Sequence, residues 1–390
     1  MMPSTPPQTS TKHPDTLTVL HARMMNGTGG GPDKTILNSP RFLKPLGFDC
    51  ICVFYRPPDD QGFEVIRERA TTAKADIVEI DDDGLFDFSM IKKTIQLCRT
   101  RKVDIWHGHD YKTNLLGWIV SKFHKMQLIT TAHGWVDYSG RLPTYYKYEK
   151  RWILPRYEKV ICVSETVLNQ AVAGGTPESK CVLIENAIDH EQFARKRKIA
   201  DAKREDFDIN ASTLLIGSIG RLSPEKGFDL LIESVADLIK NGMDAKLVIA
   251  GEGPEKESLN ELIRKLNMED RITLLGFCSD TLAFYESLDL FVLSSHREGL
   301  PNVVLEAMSV GAPVIATRVD GVPRIITDGD DGILVDANCA SAISSAVQKL
   351  NQNKDLRISL AENGVRTIAH KWSFSNRMKK IINHYRCESS

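Results

Sequence analysis

A strand–helix alternation that runs its course and then restarts constrains this chain more than any other feature. TLTVL, CICVF, DIVEI, VDIWHG, LITTAHG and KVICVS punctuate the first half, and LLIGSIG, KLVIAG, RITLLG, LDLFVLSS, APVIAT and GILV the second. Within each run the apolar residues are near-continuous rather than alternating, as in strands of a parallel sheet covered by helices on both faces. Two such series in 390 residues, a length at which a single core stops growing, predict two doubly wound α/β domains. Between them, EQFARKRKIADAKREDFDIN is highly charged and lacks strand runs, so it reads as linker and as the opening of the second domain. The expected division is a first domain over 16–190 and a second over 191–371, facing each other across an interdomain cleft. Open parallel sheets bind ligands beyond the carboxyl ends of their strands.

Bulk properties narrow the function classes. The 50 Lys and Arg nearly cancel the 51 Asp and Glu, which gives no global signal for nucleic acid. Residues 1–15 read as a disordered tail, because the first fourteen hold four prolines and five Ser or Thr with no apolar stretch after a basic start. No run approaches the length of a membrane span. The eight cysteines include no C-x-x-C pair, so reduced, mostly buried thiols in a cytoplasmic protein are expected.

The unusual residues fall just after strands. NGTGGGPDKTIL follows the first strand, and Gly29, Gly30 and Gly31 precede a helix expected to begin near Pro32 or Asp33. Such a loop brings backbone amides and a helix N-terminus close to a phosphate, or is a plain strand-to-helix turn. It is neither G-x-G-x-x-G nor a Walker A sequence. In IGRLSPEKGFDLL, Arg221 follows a strand and Lys226 opens the next helix, two cations suited to a diphosphate. The turns at Gly251 and Gly276 are small enough to admit a planar base, though glycine turns are common. HREGLPNVVLE then places Glu298 in a loop before Gly299, Leu300, Pro301 and Asn302, with Pro301 at the first helical position. Glu306 lies inside an otherwise apolar helix, and a buried carboxylate needs a hydrogen-bonding partner. A ribose diol would supply one.

These residues carry a family resemblance. Glu298 and Glu306 match the E-x7-E motif of retaining glycosyltransferases of the GT-B fold, and the surrounding sequence resembles glycosyltransferase family 4 (group 1) over roughly residues 17 to 385. The resemblance implies that Arg221 and Lys226 hold the donor diphosphate, Glu306 the ribose and Glu298 the transferred sugar. It implies that His133, in TTAHG, faces that sugar, that the first domain takes the acceptor and the second the nucleotide sugar, and that a last helix over 372–387 returns to the first domain. The first loop departs from the family pattern, with Gly30-Gly31-Pro32-Asp33-Lys34 where the family more often has G-G-A or G-G-x-E.

Three further features admit more than one reading. His107 and His109 in WHGHDY point the same way from an extended segment, so metal binding, acceptor or sugar contact by His109, and ordinary polar lining all compete. Asp81-Asp82-Asp83 contains D-x-D, which holds a metal in the other large glycosyltransferase fold, and also reads as a solvated strand-end turn. Residues 141–159 interleave six basic side chains with Tyr145, Tyr146, Tyr148, Trp152 and Tyr157. That composition suits a membrane surface carrying a lipid-linked acceptor, or an internal helix with exposed lysines.

The expected reaction is metal- and cofactor-independent transfer of a hexosyl group from a UDP- or GDP-sugar to a hydroxyl of a saccharide or lipid-linked acceptor, in polysaccharide or glycan biosynthesis, in the cytoplasm or at the inner face of the membrane. The resemblance implies retention of configuration with no protein nucleophile. The rivals are a sugar-nucleotide epimerase or phosphorylase on the same scaffold and a non-catalytic nucleotide-sugar-binding protein.

Overall fold

The computed structural model describes residues 16–25, 29, 31–84, 87–135, 142–191, 207, 210 and 212–386. The tail 1–15, Gly30 and most of the charged linker lie outside the described residues. The chain divides into two compact units, Met1–Ile184 with Met378–Ser390, and Glu185–Arg377.

The first unit holds a seven-stranded sheet: β1 (Leu17–Met24), β2 (Phe48–Arg56), β3 (Ile77–Asp81), β4 (Ile105–Gly108), β5 (Gln127–Ala132), β6 (Lys159–Cys162) and β7 (Cys181–Leu183). Its spatial order is β3-β2-β1-β4-β5-β6-β7, and the strand pairs are parallel. The second unit has β8 (Leu214–Ile219), β9 (Ala245–Ala250), β10 (Ile272–Gly276), β11 (Leu290–Leu293), β12 (Val314–Thr317) and β13 (Ile333–Val335). These form a parallel six-stranded sheet in the order β10-β9-β8-β11-β12-β13. Both units are Rossmann-like, and in both the order reverses beside the first strand.

Near-continuous apolar strands follow from this layering. In the second unit Leu214, Ile216, Leu247, Ile249 and Val292 pack on one face against the helix Phe228–Lys240, while Leu215, Val248, Ala250, Phe291 and Leu293 pack on the other against the helix Asn302–Ser309. Successive residues point to opposite faces, so a sheet covered twice needs apolar side chains at nearly every position. The covering helices show the matching helical spacing: Phe228, Leu231, Ile232, Val235 and Leu238 are all buried. At the strand ends, polar caps start the next helix. The Asp110 carboxylate accepts from the amides of Lys112 (3.1 Å) and Thr113 (2.9 Å), and the Ser164 hydroxyl accepts from Val167. Cys50, Cys52, Cys98 and Cys162 are buried, and the described cysteines are free thiols.

Candidate active site

Ligands of open α/β sheets bind where the strand order reverses. In the second unit that point lies between β8 and β11. Gly220 and Arg221 follow β8, and Ser294 to Pro301 follow β11. Lys226 closes a short 3-10 turn (Pro224–Lys226) one residue ahead of its helix, because Gly227 adopts φ +58° there. A Cβ on Gly227 would lie 2.4 Å from the Ser294 carbonyl oxygen. Glycine thus lets this turn close onto the β11 loop. The Ser294 hydroxyl donates to the Lys226 carbonyl (3.0 Å) and the His296 amide to that of Glu225 (2.8 Å).

This packing brings Lys226 to Glu298. Lys226 Nζ donates to Glu298 Oε1 at 2.6 Å, and the Ser295 hydroxyl donates to the same oxygen at 2.6 Å. The Glu298 amide donates to Asp320 at 2.8 Å. Only 8% of the Glu298 side chain is exposed, so removing its cation would strand a largely buried charge. Arg221, by contrast, is exposed, and its guanidinium makes no hydrogen bond or ion pair among the described residues. Gly299 is exposed, whereas Leu300 is buried. Pro301 is the N-cap of the helix Asn302–Ser309 rather than its first residue, with φ −74° and ψ 109°. Its extended ψ places the helix start one position later than expected.

Glu306 finds a partner within the chain. The Tyr285 hydroxyl donates to Glu306 Oε2 at 2.9 Å, and both side chains are buried. Burial first, then the nearby Glu306 charge, pushes the Tyr285 phenol above its usual range. The sequence alone points only to a ligand for that role. Gly251 is also occupied differently than expected. With φ +144° and a hypothetical Cβ only 1.8 Å from the Gly220 carbonyl oxygen, it is glycine because two backbone turns touch. Gly276, at φ +72°, accepts the Gly251 amide on its carbonyl at 2.8 Å. Ser295 and His296 were missed, although both sit close to Glu298 in sequence; His296 Nδ1 is buried with no hydrogen-bond partner among the described residues.

In the first unit the order reverses between β1 and β4. Gly29 has φ +71°, and Gly31 begins the helix Gly31–Leu43. Four histidines gather at this edge: His21 in β1, His107 in β4, His109 just after it, and His133 just after β5. His109 and His133 line a cavity of about 480 Å³ together with Arg23, Tyr111, Trp135 and Glu149. Arg23 is tethered, donating to the His109 carbonyl at 3.0 Å and to Asp33 at 3.2 Å. Burial first, and then His107, His21, His133 and Arg23, hold His109 well below the usual histidine range.

Glu149 was not singled out by the sequence, which shows it only as an acid within an aromatic, basic stretch. It opens a π-helical turn, Glu149–Ile153, a local irregularity frequent at functional sites. Its carboxylate accepts from Asn114 Nδ2 at 2.7 Å and from the Trp135 indole at 2.8 Å. Burial nevertheless pushes its carboxyl up to about 7. Tyr157 is fully buried, whereas Tyr148 and Trp152 are more than half exposed, so the stretch 142–159 divides between core and surface. Arg141 lies outside the described residues.

Donor atoms of His21, His107 and His109 fall within 4.8 Å of one another. The ring nitrogens of His109 nevertheless face His21 and His133, and those of His107 face the Tyr385 and Thr131 hydroxyls. In-plane lone pairs directed at those partners do not converge on one point, so the cluster reads as a hydrogen-bonded group. In the acidic turn, Asp81 pairs with Arg56 at 3.6 Å and Asp82 with Lys112. Both carboxylates are thus engaged by cations.

The comparisons with known proteins follow the same division. Residues 29–192 match the profile of Glycosyltransferase Family 4, and residues 200–367 that of Glycosyl transferases group 1. The lipopolysaccharide core biosynthesis glycosyltransferase LpsE of Rhizobium meliloti is 33% identical over 46% of this chain, and the match spans about half of that relative's length (52%). The Escherichia coli UDP-Gal:alpha-D-GlcNAc-diphosphoundecaprenol alpha-1,3-galactosyltransferase is 26% identical over 77% of this chain and 79% of its own. Among solved structures, Anabaena Alr3699/HepE in complex with UDP-glucose superposes with a TM-score of 0.78 at 17% identity, over 95% of this chain and 99% of that one. With both halves matched and two Rossmann-like units in the same order, the chain belongs to the group 1 glycosyltransferases of the GT-B fold.

Proposed function

We propose that the chain is a retaining hexosyltransferase that moves a sugar from a nucleotide diphosphate donor to a hydroxyl of a saccharide or lipid-linked acceptor without a metal. The observation that carries this reading is the pair Lys226–Glu298, seated at the switch point of the second sheet, with seven residues between Glu298 and Glu306. Exposed Arg221 and half-buried Lys226 supply positive charge where negative charge develops on the departing diphosphate. The amides of Gly299 and Leu300, which make no hydrogen bond among the described residues, add donors beside them. Held by Lys226 and Ser295, the Glu298 carboxylate is fixed to accept from sugar hydroxyls. Glu306 Oε2 accepts from the Tyr285 hydroxyl, and a carboxylate can accept from several donors at once, a ribose hydroxyl among them. Gly251, Gly276, Pro301 and Asn302 shape the turns around the nucleotide.

On the acceptor side the reading assigns His133 to the transferred sugar and His109, with the cavity it lines, to the acceptor. The relatives supply the chemistry by analogy: one is named for transfer from UDP-Gal to a diphosphoundecaprenol-linked sugar. Among the described residues no helix is long and apolar enough to cross a membrane. Contact with a membrane-borne acceptor would use the exposed Tyr148 and Trp152, with Arg151 over the Trp152 ring at 5.7 Å and Arg156 over Trp118 at 4.9 Å. Binding to anionic vesicles that is weakened in Trp152→Ser would support that contact.

The deciding experiment incubates the protein with UDP-, GDP- and ADP-sugars and follows diphosphate release with and without EDTA, beside Arg221→Ala and Glu306→Ala. Release from one donor, indifferent to EDTA and lost in both variants, is expected. Dependence on a divalent cation would overturn the metal-free mechanism and return attention to Asp81 and Asp83.

A further inference from the structure

Three imidazoles from three neighbouring strands meet end to end in the first unit. His21 lies in β1, His109 directly after β4 and His133 directly after β5, and these strands are consecutive in the sheet. His21 Nδ1 is 2.8 Å from His109 Nε2, and His109 Nδ1 is 3.2 Å from His133 Nε2. Ring centroids 5.1 and 5.5 Å apart, with interplanar angles of 29° and 24°, place the rings edge to edge in nearly one plane. The step from ring to ring is close to the spacing of paired strands, about 4.7–4.9 Å. His107 packs against this row, its centroid 4.7 Å from that of His21 and 4.6 Å from that of His109.

A neutral imidazole carries one ring proton, with one nitrogen donating and the other accepting. His109 uses both nitrogens in the row, so it donates to one neighbour only while accepting from the other. Two arrangements satisfy both links. In the first, His21 donates from Nδ1, His109 donates from Nδ1, and His133 accepts at Nε2 and carries its proton on Nδ1. In the second, His133 donates from Nε2, His109 donates from Nε2, and His21 carries its proton on Nε2. Burial favours neutral His109, so in either arrangement one of its ring nitrogens donates and the other accepts. The tautomer of His21, almost fully buried and outside the cavity lining, is thereby tied to that of His133, which lines the cavity.

We propose that His21 and His109 are positioning residues that set the tautomer of His133, and so decide whether its Nδ1 is a proton donor or an acceptor toward a hydroxyl-bearing ligand. This rests on the assignment of His133 to the sugar-transfer site. Neither positioning residue need touch a substrate. A sugar hydroxyl can donate or accept, and a fixed tautomer selects one orientation of that hydroxyl.

Nitrogen NMR of the full-length, 15N-labelled protein tests the coupling without any substrate, because protonated and lone-pair ring nitrogens resonate in separate regions. The native protein is expected to show one tautomer at His133, and His21→Phe, which removes the distant link while keeping a planar ring, a mixture of both. In parallel, kcat for donor turnover should fall about tenfold in His21→Phe with KM for the donor unchanged, as expected for a sugar hydroxyl left misoriented. If His21→Phe does not fold by circular dichroism, His21→Gln serves instead, since its amide terminates the row differently. Unchanged His133 nitrogens in a folded variant would overturn the proposal. Full activity in His133→Ala would instead overturn the assignment of His133 to the site, while leaving the measured coupling between the rings standing.

Discussion

The switch points of the two sheets occupy equivalent places, yet they are furnished with opposite chemistry. In the second unit the site is built from ionisable side chains tied by hydrogen bonds: exposed Arg221, the Lys226–Glu298 pair, and buried Glu306, which accepts from Tyr285. In the first it is built from a row of imidazoles, within which burial holds His109 well below the usual histidine range, and from a carboxyl that burial drives toward its neutral form. Under the proposed function, exposed Arg221 and half-buried Lys226 meet a nucleotide diphosphate, and a cation is inexpensive to hold where water reaches it. An acceptor hydroxyl needs oriented donors and acceptors in a drier pocket, where neutral groups are cheaper to desolvate. On the proposed reading, one topology would serve two ligands by changing which residue types end its strands.

The comparison breaks most easily at Lys226. Lys226→Ala should lower donor turnover by about 10²–10³-fold, the effect of removing one donor to a developing charge. Initial rates of diphosphate release test this, and a rate within threefold of the native one would remove Lys226 from the charged site. Backbone architecture comes next. Gly251→Ala must place a Cβ where 1.8 Å separates it from the Gly220 carbonyl oxygen, at φ +144°, and should destabilise the second unit by about 3 kcal/mol or more in urea unfolding.

In the first unit Glu149 sharpens the contrast through pH. Its folded carboxyl, pushed up to about 7 from 4.5, keeps a proton that the unfolded chain has released. Stability from this group is therefore complete below about pH 4.5, falls as pH rises toward 7 by roughly 3 kcal/mol, and is level above that. Glu149→Gln should flatten that slope in denaturant titrations from pH 5 to 8; an unaltered slope would mean that another group causes it. The smallest effect is expected at Tyr285→Phe, which deprives Glu306 of one donor. A loss of about 1–2 kcal/mol, with a modest rise in donor KM and little change in kcat, fits a carboxylate that binds ribose rather than reacts.

Much of the charged site was legible because each of its parts is local. Arg221 with Lys226, and Glu298 with Glu306, lie within one strand-end segment apiece, so spacing along the chain carries their relation. What failed to show were the links between segments. Tyr285 reaches Glu306 across 21 residues, Asn114 reaches Glu149 across 35, and His21 reaches His109 across 88. Gly251 was read as space for a base, because a turn seen alone does not reveal the second turn pressed against it.

By itself, then, the sequence determined two parallel sheets covered on both faces and the strand-end segments that carry Lys226, Glu298 and Glu306. These follow from periodicity and from the chemistry of short segments, which the chain displays in order. Only the tertiary structure decided the imidazole row and the environment of Glu149. Which side chains of adjacent strands meet depends on register, and His21 pairs with His107 in a ladder where a slip of one residue would turn it to the opposite face. Register is the outcome of packing the whole sheet, and no single segment records it.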